Sequence, residues 1–220
     1  MLSVTFAELV HGKIMASARL DNDRLEQIRC IVPADLANLY DEVGLCTLKA
    51  GRLQLCDPLE FRGVLALVFK ADSQFSHKNC HAFAYTSFGM LYCWSNELAL
   101  VVVDLITGHV TSRGALGKIK AGANIFNQIY VPFSLSDEAL DLSDEDGKPL
   151  FLRTAKKLGT PEIGECFGFL PALALGGARR LEHLKRIRAL EHFAIAAQIL
   201  EFQLVDVQGY GDETIMRPIG

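Results

Sequence analysis

The stretch Glu165–Gly177, with the sequence ECFGFLPALALGG, carries the most information about the fold of this chain. It is an apolar segment interrupted by Gly168, by Pro171 and by the pair Gly176 and Gly177. A glycine permits a positive φ angle or the close approach of another backbone, and a proline removes a hydrogen-bond donor from a strand ladder. A generic core strand needs none of these residues. The stretch therefore predicts a specific local architecture, and it matches no catalytic motif.

The regions on either side of this stretch predict a C-terminal domain over residues 135–220. Apolar residues recur at helical spacing from Leu181 to Phe202, which predicts one long amphipathic helix over 181–202. A shorter helix is expected from Leu150 to Leu158, because Gly159 and then a proline follow it. The last residues, 207–220, are rich in glycine and polar residues and predict a loose tail. We expect this smaller domain to be mostly helical.

The first part of the chain, residues 1–134, predicts a second domain with both helices and strands. Its predicted helices run from Asp21 or Asn22 to Ile28, from Ala34 to Val43, and from Asp57 and Pro58 towards Phe69. A small hairpin is expected around Ala50 and Gly51. From residue 81 the apolar residues recur at every second position, which predicts an antiparallel meander over residues 81–112. The expected fold class is α+β, with N-terminal helices packed on the β-meander.

Composition limits the classes of function. The 220 residues are 50% hydrophobic and 22% charged, with a net charge of −4 and an isoelectric point near 5.9, so a nucleic-acid surface is not predicted. No secretory signal and no apolar window long enough for a bilayer is recognisable, so no membrane partner is expected. The six cysteines are spread singly, as in free buried thiols, and we expect a cytoplasmic protein.

One segment has an unusual charge pattern. Six carboxylates fall within ten positions without a basic residue, and we call them the acidic run: Asp137, Glu138, Asp141, Asp144, Glu145 and Asp146. Two interpretations are open, a solvated linker between the domains and a surface complementary to a basic protein. In the second interpretation the carboxylates would steer association with a positive cleft.

Possible catalytic and metal-binding residues are few. His77, Cys80 and His81, with Cys93 as a fourth ligand, could be combined into a metal site. Neighbouring residues of a strand point to opposite faces, however, and structural zinc sites usually show two separate ligand pairs. Cys166 has apolar neighbours and no evident base, so a structural thiol is predicted. We therefore predict no catalytic residue, no metal and no cofactor.

The chain resembles a known family in both halves. From about Leu150 to Gln203 it is similar to the C-terminal domain of bacterial type VI secretion immunity proteins, through Leu158-Gly159, the stretch Glu165–Gly177 and the segment from Leu190 to Gln198. The N-terminal half resembles the GAD-like (GAD-related) domain of the same proteins. The matching segments are Val32–Leu36, Tyr40–Gly44, Asp57-Pro58, Ala84–Gly89, Tyr92–Trp94 and Thr107-Gly108.

This resemblance implies a non-enzymatic cytoplasmic immunity protein. Such a protein binds one cognate effector toxin in a one-to-one complex and prevents self-intoxication. Toxins of this kind are commonly nucleases, so a DNase is the expected target, and the acidic run is the expected toxin-binding site. Two other hypotheses remain open: a metal- or thiol-dependent enzyme that uses His77, Cys80 and His81, and a regulatory adaptor that binds a ligand between its two lobes.

Overall fold

A computed structural model describes residues 14–119, 124–208 and 212–220. The prediction about a secretory signal concerns the N-terminus, of which residues 1–13 lie outside the described residues. The described strands are β1 Ile14–Ala18, β2 Leu45–Leu48, β3 Leu53–Leu55, β4 Cys80–Thr86, β5 Met90–Ser95, β6 Ala99–Asp104, β7 His109–Thr111, β8 Glu165–Phe169, β9 Leu184–Arg188, β10 Phe202–Gln208 and β11 Asp212–Ile219. The described helices are α1 Asn22–Arg29, α2 Ala34–Val43, α3 Arg62–Phe69, α4 Ile125–Ser134, α5 Phe151–Leu158 and α6 Ala189–Ile199.

A large, mostly antiparallel sheet organises the molecule. Within the described residues it has nine strands in the order β1 to β7, then β10 and β11. The neighbours β7 and β10 are parallel, while the other neighbours are antiparallel. Strands β8 and β9 form a separate two-stranded sheet. Because β10 extends the sheet begun by the N-terminal half, the two parts of the chain share one scaffold, and the division at residue 134 stays a prediction.

Helices cover both faces of the large sheet. Successive residues of a strand point to opposite faces, and in β4 Ala82 belongs to one apolar cluster while Phe83 belongs to another. The first cluster contains residues of α3 and α6, and the second contains residues of α1, α2 and α4. A third cluster lies between α5 and the β8–β9 pair. The fold is therefore a mixed α/β arrangement.

Helices α1 and α2 do pack on strands of the meander, but the predicted order, with the helices before the strands, is not confirmed. Strand β1 precedes the first described helix, and strands occupy much of the early chain. The mostly helical C-terminal lobe is also incorrect, because residues 135–220 contain the four strands β8 to β11 beside α5 and α6. Strand pairing with the N-terminal part recruits this half into the sheet, and single-sequence periodicity does not report such pairing.

The local helix signals of the N-terminal half are confirmed. Helix α1 is capped by Asp21, whose carboxylate accepts a hydrogen bond of 2.8 Å from the backbone N–H of Arg24. Helix α2 has the predicted bounds Ala34–Val43. The hairpin of β2 and β3 forms as expected. Helix α3 begins at Arg62 rather than directly after Asp57, because turns occupy the residues between them.

The long helix predicted over residues 181–202 is wrong. Residues Leu181–His183 form a single 3₁₀ turn, Leu184–Arg188 form β9, and α6 begins only at Ala189. In β9, Leu184 belongs to the third apolar cluster whereas Ile187 packs against the first, so the two side chains lie on opposite faces of the strand. The apolar spacing of Leu184 and Ile187 also fits a helix, but pairing of the segment with β8 decides its structure.

The stretch Glu165–Gly177 owes its glycines to close packing. A Cβ atom on Gly168 would lie 2.2 Å from the Cδ1 atom of Ile187 on the paired strand. A Cβ atom on Gly177 would lie 2.0 Å from the carbonyl oxygen of Pro171. Any larger residue at Gly177 would therefore clash with the backbone, whereas at Gly168 the side chains of Ile187 and His192 would have to move.

The predicted tail is instead the edge of the large sheet. Strand β11 pairs with β10, and its Arg217 holds Asp72 through two hydrogen bonds of 2.6 and 3.1 Å. Burial alone would raise the pKa of Asp72. The hydrogen bonds from Arg217 and from the backbone N–H groups of Phe75, Gln74 and Gly220 outweigh burial and hold that pKa well below its usual range.

We expect the substitution Arg217→Ala to lower the free energy of unfolding by about 2 kcal/mol, because a buried carboxylate loses a bidentate charged partner. Urea unfolding at neutral pH measures this loss. Lys148→Ala is the matched control, since it removes an exposed ion pair with Asp146 and should change stability by less than about 0.5 kcal/mol. Equal effects of the two substitutions would contradict an anchoring role for Arg217.

Candidate functional site

The acidic run lies between α4 and α5. Helix α4 was not predicted from the sequence; Asn124 caps it and Pro132 lies within its last turn. After α4 the chain makes a turn over residues 137–140, and an isolated bridge between Ser143 and Pro149 closes a loop. The structure separates the six carboxylates of the run into two that hold this loop together and four that are exposed.

Asp141 and Asp144 are structural. The Oδ1 atom of Asp141 accepts hydrogen bonds from the backbone N–H of Leu142 at 2.7 Å and from that of Phe151, the first residue of α5, at 2.8 Å. The side chain of Asp144 is buried and accepts a hydrogen bond of 2.6 Å from Arg153. Hydrogen bonds from Arg153 and from the backbone of Lys148 lower the pKa of Asp144. These two carboxylates are therefore already occupied within the chain.

The other four carboxylates reach solvent, and two of them pair with arginines. Asp137 lies 3.4 Å from a guanidinium nitrogen of Arg52, and Glu145 accepts a hydrogen bond of 2.6 Å from Arg180. Asp146 forms a long, exposed ion pair of 3.4 Å with Lys148. Glu138 has no cation within ion-pair distance among the residues that the structure describes.

The charge that the acidic run offers to a partner is therefore smaller than the sequence indicates. Glu138 and Asp146 are its most available members. Hydrogen bonds from its own backbone N–H and from the Ser136 hydroxyl lower the pKa of Glu138, so this carboxylate is ionised at neutral pH. Whether the run contacts a toxin stays a prediction.

Among the described residues, His77, Cys80, His81 and Cys93 are not arranged as a metal site. Cys80 and His81 are buried in β4, and Cys93 is buried in β5. Burial, and then the charge of Arg62, lowers the pKa of His81 to about 4. Over the described ranges, no group of three or more His, Cys, Asp or Glu side chains is placed to hold a metal ion. Burial likewise raises the pKa of the Cys166 thiol, as expected for a structural cysteine.

A buried amide joins the two halves of the chain. Gln54 on β3 donates hydrogen bonds to the backbone carbonyls of Glu162 at 3.0 Å and of Glu165 at 2.9 Å. Its oxygen accepts hydrogen bonds from the Tyr85 hydroxyl at 2.7 Å and from the Gly164 backbone N–H at 3.0 Å. All four hydrogen-bonding positions of the amide are used. The sequence analysis did not single out Gln54, and its type alone carries no such signal.

Comparison with known proteins agrees with this two-part construction. A family model described as GAD-like domain matches residues 5–107, and a model described as T6SS immunity protein Tdi1, C-terminal, matches residues 131–200. A solved structure described as the crystal structure of Atu4351 from Agrobacterium tumefaciens is similar over 95% of this chain and 94% of that chain, with 25% sequence identity and a TM-score of 0.87. No curated protein matches the chain.

The model that matches residues 131–200 is that of an immunity protein of the type VI secretion system, and it supports this class for the chain. Along the chain, a part similar to a GAD-like domain is followed by a part similar to the Tdi1 C-terminal domain. The resemblance found in the sequence is thereby confirmed. The family implies the binding of a cognate effector and an inhibitory role. None of the described helices has the length and apolar content of a membrane-spanning segment.

Proposed function

We propose that this protein binds a type VI effector with DNase activity in a one-to-one complex and blocks it in the cytoplasm of the cell that makes it. The observation that carries this proposal is the pair of family matches, which follow one another along the chain and together include most of it. The protein acts by occupying a surface of the effector and performs no chemistry of its own.

The charge of the chain supports a nuclease as the target. A nuclease must attract the phosphates of DNA, so its cleft is positive, and an acidic protein is drawn towards such a cleft. This chain carries a net charge of −4, and the acidic run contributes Glu138 and Asp146 to its exposed surface. A stable complex of this kind buries roughly 1,600 Å² in total, from about 20 to 30 residues on each side, so the six residues of the run need further contacts beside them.

The double substitution Glu138→Lys and Asp146→Lys should slow association with the effector. We expect the association rate to fall about tenfold at ~10 mM salt and to change little at ~1 M, because salt screens exposed charges. Stopped-flow mixing at several salt concentrations measures this effect. The melting temperature should change little, since both carboxylates are exposed and make only local contacts.

Two controls separate electrostatic steering by the acidic run from effects of net charge and of fold stability. Glu201→Lys with Asp212→Lys makes the same change of net charge at exposed positions of the C-terminal hairpin, and it should slow association less. Asp144→Asn should instead lower the melting temperature, because it disturbs the hydrogen bonds to Arg153 and Lys148. If the Glu138 and Asp146 variant associates as fast as the native protein at low salt, the acidic run is not part of the interface.

The proposal as a whole is tested by co-expression with the effector encoded in the adjacent reading frame. We expect cells that make both proteins to survive with intact DNA, and the two proteins to co-purify in equal amounts. Cells that make the effector alone should lose viability and degrade their DNA. Death of the co-expressing cells would refute the immunity role, whereas rescue from a toxin that leaves DNA intact would refute the DNase assignment alone.

A further inference from the structure

A cleft lies where the two matched domains meet. It has a volume of about 210 Å³ and opens between the start of α3, strand β3, the loop before β8 and the first turn of α6. The GAD-like part and the C-terminal part contribute similar numbers of lining residues. The residues that matter most for its chemistry are Gln54, Asp57, Glu60, Tyr85, Arg188 and Glu191.

The buried polar groups of the cleft are already satisfied. Gln54 makes the four hydrogen bonds described above, and one of them comes from the Tyr85 hydroxyl. Asp57 is buried, pairs with Arg24 at 3.0 Å and accepts a hydrogen bond of 2.9 Å from the backbone N–H of Leu59. These groups shape the cleft, and they leave the recognition of a ligand to the groups at its rim.

Two carboxylates at the rim have no cation of their own. Glu60, just before α3, and Glu191, in the first turn of α6, are exposed and line the cleft. Neither forms an ion pair with any residue in the part of the chain that the structure describes. Arg188 is the single cationic residue among the described lining residues. Glu60, Glu191 and Asp57 carry three negative charges, and Arg188 and Arg24 carry two positive ones. The cleft therefore has a net charge of one negative unit.

The walls below these carboxylates are apolar. They are made by Leu45, Leu55, Phe61, Ile163, Ala189 and Leu190. The combination of apolar walls and carboxylates at the rim suits a long side chain with an apolar stem and a cationic end. Of the two cationic side chains, arginine has the planar fork that binds carboxylates in bidentate geometry.

An exposed apolar stripe continues from the cleft along α6. Ile195 follows Glu191 by four residues, and Ile199 follows Ile195 by four, so all three lie on one face of the helix. Ile195 is 49% exposed and Ile199 is 37% exposed. A concave anchor site beside an apolar ridge is the usual composition of the centre of a protein interface.

We propose that this cleft receives an arginine side chain of the bound effector, with the guanidinium group at Glu60 and Glu191 and the adjacent effector surface on Ile195 and Ile199. This inference rests on the proposed binding of an effector, and it adds the contact that anchors the complex. The acidic run accelerates the encounter, whereas the cleft holds the complex once it has formed.

The test compares two double variants of the full-length protein. Glu60→Gln with Glu191→Gln removes both rim charges and preserves side-chain size. We expect it to weaken binding of the effector domain from the adjacent reading frame by at least about 30-fold, as measured by calorimetry. The control, Glu182→Gln with Glu201→Gln, removes two exposed carboxylates outside the cleft lining and should change the dissociation constant less than about twofold.

A second measurement identifies the occupant. Each arginine and lysine on the surface of the effector is replaced by alanine and tested against the native protein and the Glu60 and Glu191 variant. One arginine substitution should weaken the native complex strongly and the variant complex hardly at all, which is the signature of direct coupling. If no cationic residue of the effector is coupled to the two glutamates, the inference is overturned, even if the variant binds weakly for another reason.

The outcomes also separate this inference from the proposed function. If the native protein does not bind the effector domain, the proposed function fails, and this inference fails with it. If the native protein binds and the Glu60 and Glu191 variant binds equally well, the cleft is not the anchor and the immunity role stands. A small molecule as occupant of the cleft would give this second result.

Discussion

Replacing Phe193 with alanine is expected to lower the free energy of unfolding by about 3 to 5 kcal/mol. Phe193 on α6 is 1% exposed. Its ring meets the Tyr85 ring edge to face at a centroid distance of 5.4 Å, and it lies 6.3 Å from the ring of Phe61. The substitution removes aromatic contacts and leaves a cavity where α6 packs against the sheet and α3, and these elements cannot fully close over it.

Urea unfolding monitored by circular dichroism measures this effect. Ile195→Ala is the matched control on the same helix, because Ile195 is 49% exposed and its truncation should cost less than about 1 kcal/mol. A loss below about 1 kcal/mol for Phe193→Ala would show that α6 contributes little to the fold. It would also mean that the cleft at the start of α6 has no rigid support.

The second large effect is expected from Gln54→Leu, which should lower the free energy of unfolding by about 3 to 4 kcal/mol. Leucine has a similar size but removes four hydrogen bonds, those to the carbonyls of Glu162 and Glu165 and those from the Tyr85 hydroxyl and the Gly164 N–H. Each lost hydrogen bond costs about 1 kcal/mol, because the two carbonyls keep a second donor and the Gly164 N–H loses its acceptor. The loss is concentrated at the junction between the two domains.

Hydrogen exchange gives this prediction a local test. The backbone N–H of Gly164 donates to Gln54, so its exchange should accelerate in the variant much more than that of amides in the centre of the large sheet. Gln198→Leu is the control, because Gln198 is exposed on α6, and it should change stability by less than about 0.5 kcal/mol. Unchanged exchange at Gly164 would indicate that the amide does not connect the two halves.

The junction has a direct relation to function. Gln54 and Phe193 each connect the N-terminal part of the chain to the C-terminal part. The cleft with Glu60 and Glu191 is lined by both parts, so it exists only while they are packed together. A preorganised cleft loses less entropy on binding than one that must first assemble. We therefore expect variants of the junction to weaken effector binding even though they change no residue at the rim of the cleft.

Several parts of the fold followed directly from local sequence signals. Helix α2 has the predicted bounds because its proline, its apolar face and its terminal glycine all agree. The strands β4 to β7 were recognisable because turn residues separate runs with a period of two. The two family resemblances also depended on short motifs that need no knowledge of long-range contacts.

Other parts required contacts between distant residues. The segment Leu184–Arg188 has apolar positions compatible with a helix or a strand, and the pairing with β8 selects the strand. The final residues become β11 because β10 offers them a partner, and Arg217 then finds Asp72. A propensity of a few tenths of a kcal/mol per residue cannot outweigh such pairing.

The same difference applies to the candidate sites. The sequence by itself determined the resemblance to the two domain families, the helices α1 and α2, and the presence of an acidic segment at residues 137–146. Only the tertiary structure decided which of those carboxylates are occupied, and it brought Glu60 and Glu191 to one cleft although 131 positions separate them in the chain. The physical reason is that local conformation depends on neighbouring residues, whereas the availability of a charge depends on every group that the fold places beside it.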